Sequence, residues 1–202
     1  MSLTEREKSG KALYVQALSL INQKDYSNAE KKLRLATKFI KEDTQVIYSL
    51  ATVFYETKRY SESIKLLEKS LLLDSEFENA KLLIGANYLK MSKYEDARKI
   101  FFEVTEKNPR SFEGIYNLAL AYKYLKNYTL AKQGFKLATE INAKDSDAHY
   151  EYALVLDQLG EKEEAENQYY ILQSLDGERA EKLRKLLKIK VKTTSIQRHF
   201  SY

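Results

Sequence analysis

Small and large apolar residues recur along this chain in blocks that lie 34 residues apart. Residues 115–138 read IYNLALAYKYLKNYTLAKQGFKLA, and their apolar positions, three and four apart, predict two consecutive amphipathic helices. The same residue classes return 34 and 68 residues earlier. A block of this length that contains two helices predicts a repeat array, in which neighbouring helix pairs bury their apolar faces against one another.

Five such blocks fill most of the chain, without insertion or deletion. They start at Gly10, Thr44, Glu78, Phe112 and Ser146. Position 8 is small in every block, and its residues are Ala17, Ala51, Gly85, Ala119 and Ala153. Position 20 is also small, with Ala29, Ser63, Ala97, Ala131 and Ala165. Small side chains there allow paired helices to approach closely, while large apolar residues at positions 11 and 24 fill the space beside them.

The period and these positions resemble the tetratricopeptide repeat, a helix-turn-helix unit of 34 residues. The resemblance implies an all-α fold, a right-handed superhelix or α-solenoid of five repeats with a C-terminal capping helix. We expect an N-terminal extension over 1–9, the five repeats over 10–176, a basic capping helix over 177–192 and a flexible tail over 193–202. The capping helix has an apolar side formed by Ala180, Leu183, Leu186 and Leu187.

Composition supports a helical array and limits the available chemistry. Six glycines and one proline disfavour turn-rich β architectures, and the absence of cysteine excludes disulfides and thiolate metal sites. The net charge is +5, but eight basic and two acidic residues lie from Glu178 onward, so the basicity belongs to the C-terminal end. That helix either caps the array with a solvated basic face or binds phosphates of nucleic acid or an anionic membrane surface.

The sequence contains no apolar run of the roughly 20 residues that span a bilayer, and its first residues lack the apolar block of a secretory signal. We therefore expect a soluble, cytoplasmic protein. The alternative is an exported protein whose leader has been removed.

Candidate catalytic residues are few. His149 and His199 are the two histidines, and His149 stands beside Asp145, Ser146 and Asp147. Neighbours within one helical turn point to different faces, and His149 occupies a packing position of its repeat, so we interpret it as structural. The sequence predicts no catalytic residue, no cofactor site, no metal site and no glycine-rich phosphate loop. We expect a protein that is not an enzyme.

Tyrosines are concentrated at two repeat positions. Those at position 17 match the family's aromatic residue at the turn between helices: Tyr26, Tyr60, Tyr94 and Tyr128. Position 5 carries Tyr14, Tyr48, Tyr116 and Tyr150, with Leu82 in the third repeat. The repeat pattern requires no particular residue at position 5, so these tyrosines need a separate explanation.

The resemblance implies that first helices line a concave groove and that positions 2, 5, 9, 12 and 13 contact ligands. The predicted partner-binding residues are Tyr14, Leu18, Tyr48, Tyr55, Leu82, Leu89, Tyr116, Leu120, Tyr150 and Leu154. Tyrosine combines a flat apolar body with a hydroxyl, which suits an extended peptide or an amphipathic helix. The alternative is that these rings pack between successive first helices.

We therefore predict an interaction scaffold that binds a peptide or helix of a protein partner. Alternatives are a self-assembling homo-oligomer and a nucleic-acid or membrane-surface adaptor that uses the basic C-terminal helix; we expect neither nucleic acid nor a membrane as the partner. The carboxylate clamp of chaperone-binding family members is absent, because position 5 carries Tyr or Leu and position 9 carries no Asn.

Overall fold

The computed structural model describes residues 3–189, and this part of the chain contains helices and short joints but no strand. Eleven helices follow one another: α1 (Leu3–Asn22), α2 (Tyr26–Phe39), α3 (Thr44–Glu56), α4 (Tyr60–Leu73), α5 (Glu78–Lys90), α6 (Tyr94–Lys107), α7 (Phe112–Tyr124), α8 (Tyr128–Ile141), α9 (Ser146–Gln158), α10 (Lys162–Leu175) and α11 (Gly177–Leu187). The predicted all-α solenoid class is confirmed. The helices form two compact units, a first unit with α1 to α7 and a second unit with α8 to α11.

In the first unit each helix packs against the next one along the chain. The small residues at position 8 make this possible: Ala17, Ala51 and Ala119 have no exposed surface. Gly85 shows how tight the approach is, because a Cβ atom there would lie 2.5 Å from the Phe101 ring. Phe101 is itself fully buried, so the pair of α5 and α6 closes around its ring.

The turn inside each repeat has the same backbone geometry. One residue per turn has a positive φ: Lys24, Lys58, Ser92, Lys126 and Gly160, with φ of 60°, 62°, 58°, 60° and 79°. The N–H group of the next residue donates a hydrogen bond to a carbonyl near the end of the preceding helix. For example, the Asp25 N–H donates to the Leu20 carbonyl at 2.9 Å. This is the bond of a Schellman motif, which satisfies helix carbonyls and starts the next helix at a fixed angle.

The first helix is longer than its counterparts. It begins at Leu3 and has 20 residues, whereas α3, α5, α7 and α9 have 13. Residues 3–9 of the predicted extension are therefore helical and continuous with the first repeat. Gly10 is buried in this helix, and a Cβ atom there would collide with the Ile40 side chain at the end of α2.

The C-terminal helix covers the end of the second unit. Its buried Ala180 and Leu183 belong to a cluster with Ala153, Tyr169 and Leu172. The helix ends at Leu187, whereas the sequence predicted an end at residue 192.

The early end coincides with a left-handed turn and a tertiary contact. Lys188 has φ of 55°, and the Ile189 N–H donates to the Arg184 carbonyl at 3.0 Å. This turn lets Ile189 pack against the buried cluster, which a continued helix would not do. The predicted tail over 193–202 lies outside the described residues.

Candidate functional site

The ten predicted partner-binding residues lie on first helices, two on each of α1, α3, α5, α7 and α9. Nine of them are half-buried, and Leu18 is 37% exposed. None of the four position-5 tyrosines is fully exposed or fully buried. Each ring therefore has a face in contact with the protein and a part that remains accessible.

A surface pocket of about 370 Å³ lies along α3, α5 and α7 of the first unit. Its lining contains two predicted site residues, Tyr48 and Leu82. The full lining is Tyr48, Glu78, Asn79, Leu82, Leu83, Ala86, Glu113 and Asn117. Because all of these side chains come from three successive first helices, the repeat itself builds the pocket, and we call it the inner groove.

Tyr48 forms one apolar wall of the inner groove. Its ring meets the Phe77 ring edge to face, with centroids 5.3 Å apart. Phe77 lies in the joint that leads into the third repeat, so this contact holds Tyr48 against the next helix pair. The Tyr48 hydroxyl is protonated at neutral pH and can donate a hydrogen bond, and burial raises its pKa above the usual 10.0.

Two carboxylates lie beside the apolar residues of the inner groove. Glu78 is fixed because Ser111 Oγ donates to it at 2.6 Å and Asn108 Nδ2 donates at 3.1 Å. Glu113 is exposed, and in the described part of the chain no side chain pairs with its carboxylate. The groove therefore presents one anchored and one available negative charge.

Two amide side chains complete the lining. Asn117 Nδ2 donates to the Glu113 carbonyl at 2.8 Å, which leaves its Oδ1 as an acceptor, and Asn79 is exposed at the surface. Asparagine side chains can donate to and accept from a peptide backbone. Sequence reasoning missed Glu78, Asn79 and Glu113, although Asn79 and Glu113 occupy position 2, which the resemblance had marked as ligand-contacting.

Other predicted site residues of the first unit make packing contacts. Tyr14 Oη lies 3.3 Å from Ser49 Oγ, so it links α1 to α3. Tyr55 meets Tyr60 edge to face at 5.8 Å, and Tyr116 stacks on Phe112 of its own helix at 5.9 Å. The pocket contains Tyr48 and Leu82 but not Leu18, Leu89 or Leu120.

In the second unit the equivalent residues lie under the C-terminal helix. Tyr150 and Leu154 pack against the cluster that contains Leu183. The Arg179 guanidinium lies 5.9 Å from the centroid of the Tyr150 ring and also pairs with Asp147. At Tyr150 the contacts therefore favour the packing interpretation.

Most charges of the C-terminal helix are engaged in ion pairs. Lys182 pairs with Glu178 at 2.7 Å, and Arg184 pairs with Glu181 at 2.9 Å. Together with Arg179, three of the cations on this helix thus have carboxylate partners. Lys185 and Lys188 have no ion pair among residues 3–189.

His149 has a packing role. It is 5% exposed, its Nδ1 lies 2.7 Å from Gln168 Oε1, and its Nε2 lies 3.1 Å from the Ala143 carbonyl. Both ring nitrogens are thus used inside the second unit. His199 lies outside the described residues. Between residues 3 and 189, no group of three or more His, Asp or Glu side chains is arranged to hold a metal ion.

None of the helices in the described range has both the length and the apolar composition that a bilayer crossing requires.

Comparison with known proteins agrees with this architecture. The family model for subunit 3 of the anaphase-promoting complex, or cyclosome, matches residues 22–104, and the tetratricopeptide repeat model matches residues 112–145. The TPR repeat-containing protein YpiA of Bacillus subtilis (strain 168) is 29% identical over 140 residues, which cover 69% of this chain and 33% of that protein. The chain thus spans about a third of the length of this curated relative.

Solved structures show the same fold. PilF of Pseudomonas aeruginosa is 20% identical, with a TM-score of 0.78, and the match covers 91% of this chain and 86% of that one. MamA from Desulfovibrio magneticus RS-1 is 16% identical, with a TM-score of 0.74, and the match covers 84% and 96%.

Repeats of this type are typically protein-interaction scaffolds, and the matches support such a role in general terms. The helix pairs, the tetratricopeptide repeat model and the curated relative all agree. The chain is thus similar to tetratricopeptide repeat proteins, through the repeat model over residues 112–145 and through the curated relative over 140 residues.

Proposed function

We propose that the chain is a non-enzymatic adaptor that binds a peptide segment of a protein partner in the inner groove. The observation that carries this proposal is the pocket itself, which three successive first helices line with Tyr48, Leu82 and two carboxylates. Its volume of about 370 Å³ lies at the lower end of ligand-binding pockets, which suits one anchoring side chain and its neighbours.

The lining also suggests which peptide fits. An apolar anchor residue would contact Tyr48, Leu82 and Ala86. A lysine or arginine beside that anchor would face Glu113, whose carboxylate is available, and would form a charge-assisted hydrogen bond. The amides of Asn79 and Asn117 would bond the peptide backbone. The proposed ligand is thus a segment with an apolar residue next to a basic one.

Two further observations favour a peptide-binding adaptor over a nucleic-acid or membrane-surface adaptor and over an enzyme. Three of the four cations within α11 form ion pairs, which reduces the charge that this helix offers to the phosphates of nucleic acid or lipid. His149 uses both ring nitrogens in hydrogen bonds, which supports an adaptor rather than a catalyst.

The test is a peptide-display selection against the full chain, with counter-selection on a Tyr48→Ala/Leu82→Asp variant. We expect enriched peptides with an apolar residue beside Lys or Arg. Their affinity, measured by calorimetry, should fall about tenfold or more in the variant, because a groove anchor contributes a large share of binding energy.

The matched control is Tyr170→Ala, which removes a tyrosine of the second unit that is 41% exposed. Peptide affinity should be unchanged in this control. The proposal fails if the selected peptides bind the groove variant as tightly as the wild-type chain, provided that circular dichroism shows the variant to be folded.

A further inference from the structure

A second pocket of the first unit lies away from the inner groove, between the second helices α2 and α4. Its volume is about 710 Å³. It is lined by Arg34, Thr37, Lys38, Ile40, Lys41, Glu42, Ile47, Leu50, Leu66 and Lys69. We call it the basic pocket, because four cationic side chains and one carboxylate surround an apolar floor of Ile40, Ile47, Leu50 and Leu66.

The charges of the basic pocket are largely unpaired. Arg34 pairs with Glu30 at 2.8 Å, but Lys38, Lys41 and Lys69 have no ion pair in the described residues. Lys38 lies in the last turn of α2, where the helix dipole favours a cation. Lys69 lies in the third turn of α4, where the helix dipole does not favour a cation in the same way. The dipole therefore does not explain why a lysine lines the pocket at this position.

The charged residues at the equivalent positions of the next repeat are mainly acidic, and at two of these positions Arg34 and Lys69 are replaced by Glu68 and Glu103. Thirty-four residues after the lining residues of the basic pocket stand Glu68, Leu71, Leu72, Asp74, Ser75, Glu76, Lys81, Ile84, Ile100 and Glu103. Four carboxylates and one lysine thus replace four cations and one carboxylate. Leu72, which corresponds to Lys38, is 87% exposed, the largest exposure among the large apolar residues of the described chain. We call Glu68, Leu72, Asp74, Glu76 and Glu103 the acidic ridge.

The two surfaces are adjacent, since both use α4. Lys69 lines the basic pocket, while Glu68 and Leu72 of the same helix belong to the acidic ridge. Two molecules related by a two-fold axis near α4 would form two equivalent contacts. The acidic ridge of the first molecule would lie on the basic pocket of the second, and the acidic ridge of the second would lie on the basic pocket of the first. Such an isologous arrangement forms every contact twice and closes on itself, which is how most homodimers assemble.

We propose that the chain forms a symmetric dimer in which Leu72 of each copy enters the basic pocket of the other. Leu72 contacts the apolar floor, and Glu68 and Glu103 of one copy face Lys38 and Lys69 of the other. The occupant is a second copy because the chain itself carries both complementary surfaces on neighbouring repeats. This removes an almost fully exposed leucine from water and gives carboxylate partners to Lys38 and Lys69, which form no ion pair within the described chain.

The dimer does not depend on the proposed peptide-binding function. Its contacts on the basic pocket come from α2, the α2–α3 joint, α4, and Ile47 and Leu50 of α3. The inner groove shares no lining residue with the basic pocket and remains open. Failure of one proposal therefore leaves the other unaffected.

The test is sedimentation equilibrium of the full chain from micromolar to millimolar concentration. We expect a dimer whose dissociation constant rises about tenfold or more in Leu72→Asp, since an anchor residue and its pocket dominate such interfaces. Leu186→Asp, which changes a leucine of α11 that is 59% exposed, should dissociate like the wild type. Circular dichroism checks that each variant is folded.

A charge exchange makes the test specific for these surfaces. Lys38→Glu/Lys69→Glu and Glu68→Lys/Glu103→Lys should each be monomeric, because each places like charges opposite one another. Their equimolar mixture should dimerise again, since the changed pocket then meets the changed ridge. A wild-type chain that stays monomeric at every concentration, a dimer unaffected by Leu72→Asp, or a mixture that remains monomeric would each overturn the proposal.

Discussion

Tyr48 and Tyr150 occupy the same repeat position but have different surroundings. Tyr48 lines the inner groove of the first unit and touches Phe77 with its edge. Tyr150 packs against the cluster that contains Leu183 of α11, with Arg179 over its ring. One ring faces an open pocket, whereas the other is covered by the chain's own C-terminal helix.

This difference shows that repeat position alone does not define a binding residue. The helix that comes after a repeat decides whether its tyrosine is available to a partner. In the first unit this helix is another first helix, which contributes Leu82 and Asn79 to a shared groove. In the second unit it is a capping helix, which uses the tyrosine as part of its own contact surface. Equivalent substitutions in the two units should therefore have different effects.

The largest expected effect is loss of the cap contact through Leu183→Ala. Leu183 is fully buried, so its truncation should lower the free energy of unfolding by about 2–5 kcal/mol, from lost burial and the cavity left behind. Urea denaturation measures this change. Leu186→Ala, at an exposed position of the same helix, should stay within about 0.5 kcal/mol of wild type. Equal effects of the two variants would mean that α11 does not cover the second unit.

Exchange of the two tyrosines for alanine should separate binding from stability. Tyr150→Ala should lower the free energy of unfolding by about 2 kcal/mol, because it removes a ring that packs beneath α11. It should leave the affinity for groove-selected peptides unchanged. Tyr48→Ala should weaken that affinity about tenfold. Calorimetry measures the peptide affinity and urea denaturation the free energy of unfolding of both variants. Equal changes in both quantities for Tyr48→Ala and Tyr150→Ala would contradict the different roles of the two tyrosines.

A smaller effect is expected from Glu113→Gln, which keeps the size of the side chain and removes its charge. Affinity for a peptide that contains Lys or Arg should fall about threefold, since a single exposed ion pair contributes below about 1 kcal/mol. Affinity should also depend less on salt. Glu163→Gln, an exposed carboxylate on α10, is the matched control and should leave binding unchanged. Unaltered salt dependence in Glu113→Gln would exclude this carboxylate from the ligand contact.

The smallest effect at neutral pH concerns Tyr152, whose hydroxyl donates to Glu164 Oε1 at 2.6 Å. Burial, together with Glu164, raises the pKa of Tyr152 above its usual 10.0. Above pH 10 the folded chain therefore holds this proton while the unfolded chain loses it, so the free energy of unfolding falls as pH rises. Urea denaturation across this alkaline range should show a shallower fall in Tyr152→Phe. An unchanged slope would disprove the assignment.

Much of the fold could be predicted from the sequence because its determinants are local and periodic. Alanine or glycine at position 8 marks where helices touch, and His149 at a packing position could be interpreted as structural. The end of α11 could not be predicted, because it depends on a tertiary contact. Lys188 leaves the helical conformation so that Ile189 can pack on the last repeat, and nothing in the local pattern signals that gain.

The inner groove was only partly predictable for a similar reason. Its lining combines position 5 of one repeat with positions 1, 2 and 6 of the next two, as Tyr48, Glu78 and Asn117 illustrate. Residues far apart in sequence meet there through helix stacking. The cover over Tyr150 was also missed, since Arg179 was counted among the solvated cations of a basic helix although it contacts that ring.

The residue with a left-handed backbone conformation in the turn of each repeat is a position where the stability of the chain could be raised. Only Gly160 lacks a Cβ atom there, whereas Lys24, Lys58, Ser92 and Lys126 adopt the same geometry with a side chain. A residue with a Cβ atom destabilises the fold by about 1 kcal/mol or more in that geometry. Glycine avoids this cost, and its greater conformational freedom in the unfolded chain cancels only part of the gain. Replacement of these four residues by glycine should therefore raise the melting temperature by a small amount at each position. It would leave the inner groove and the basic pocket unchanged.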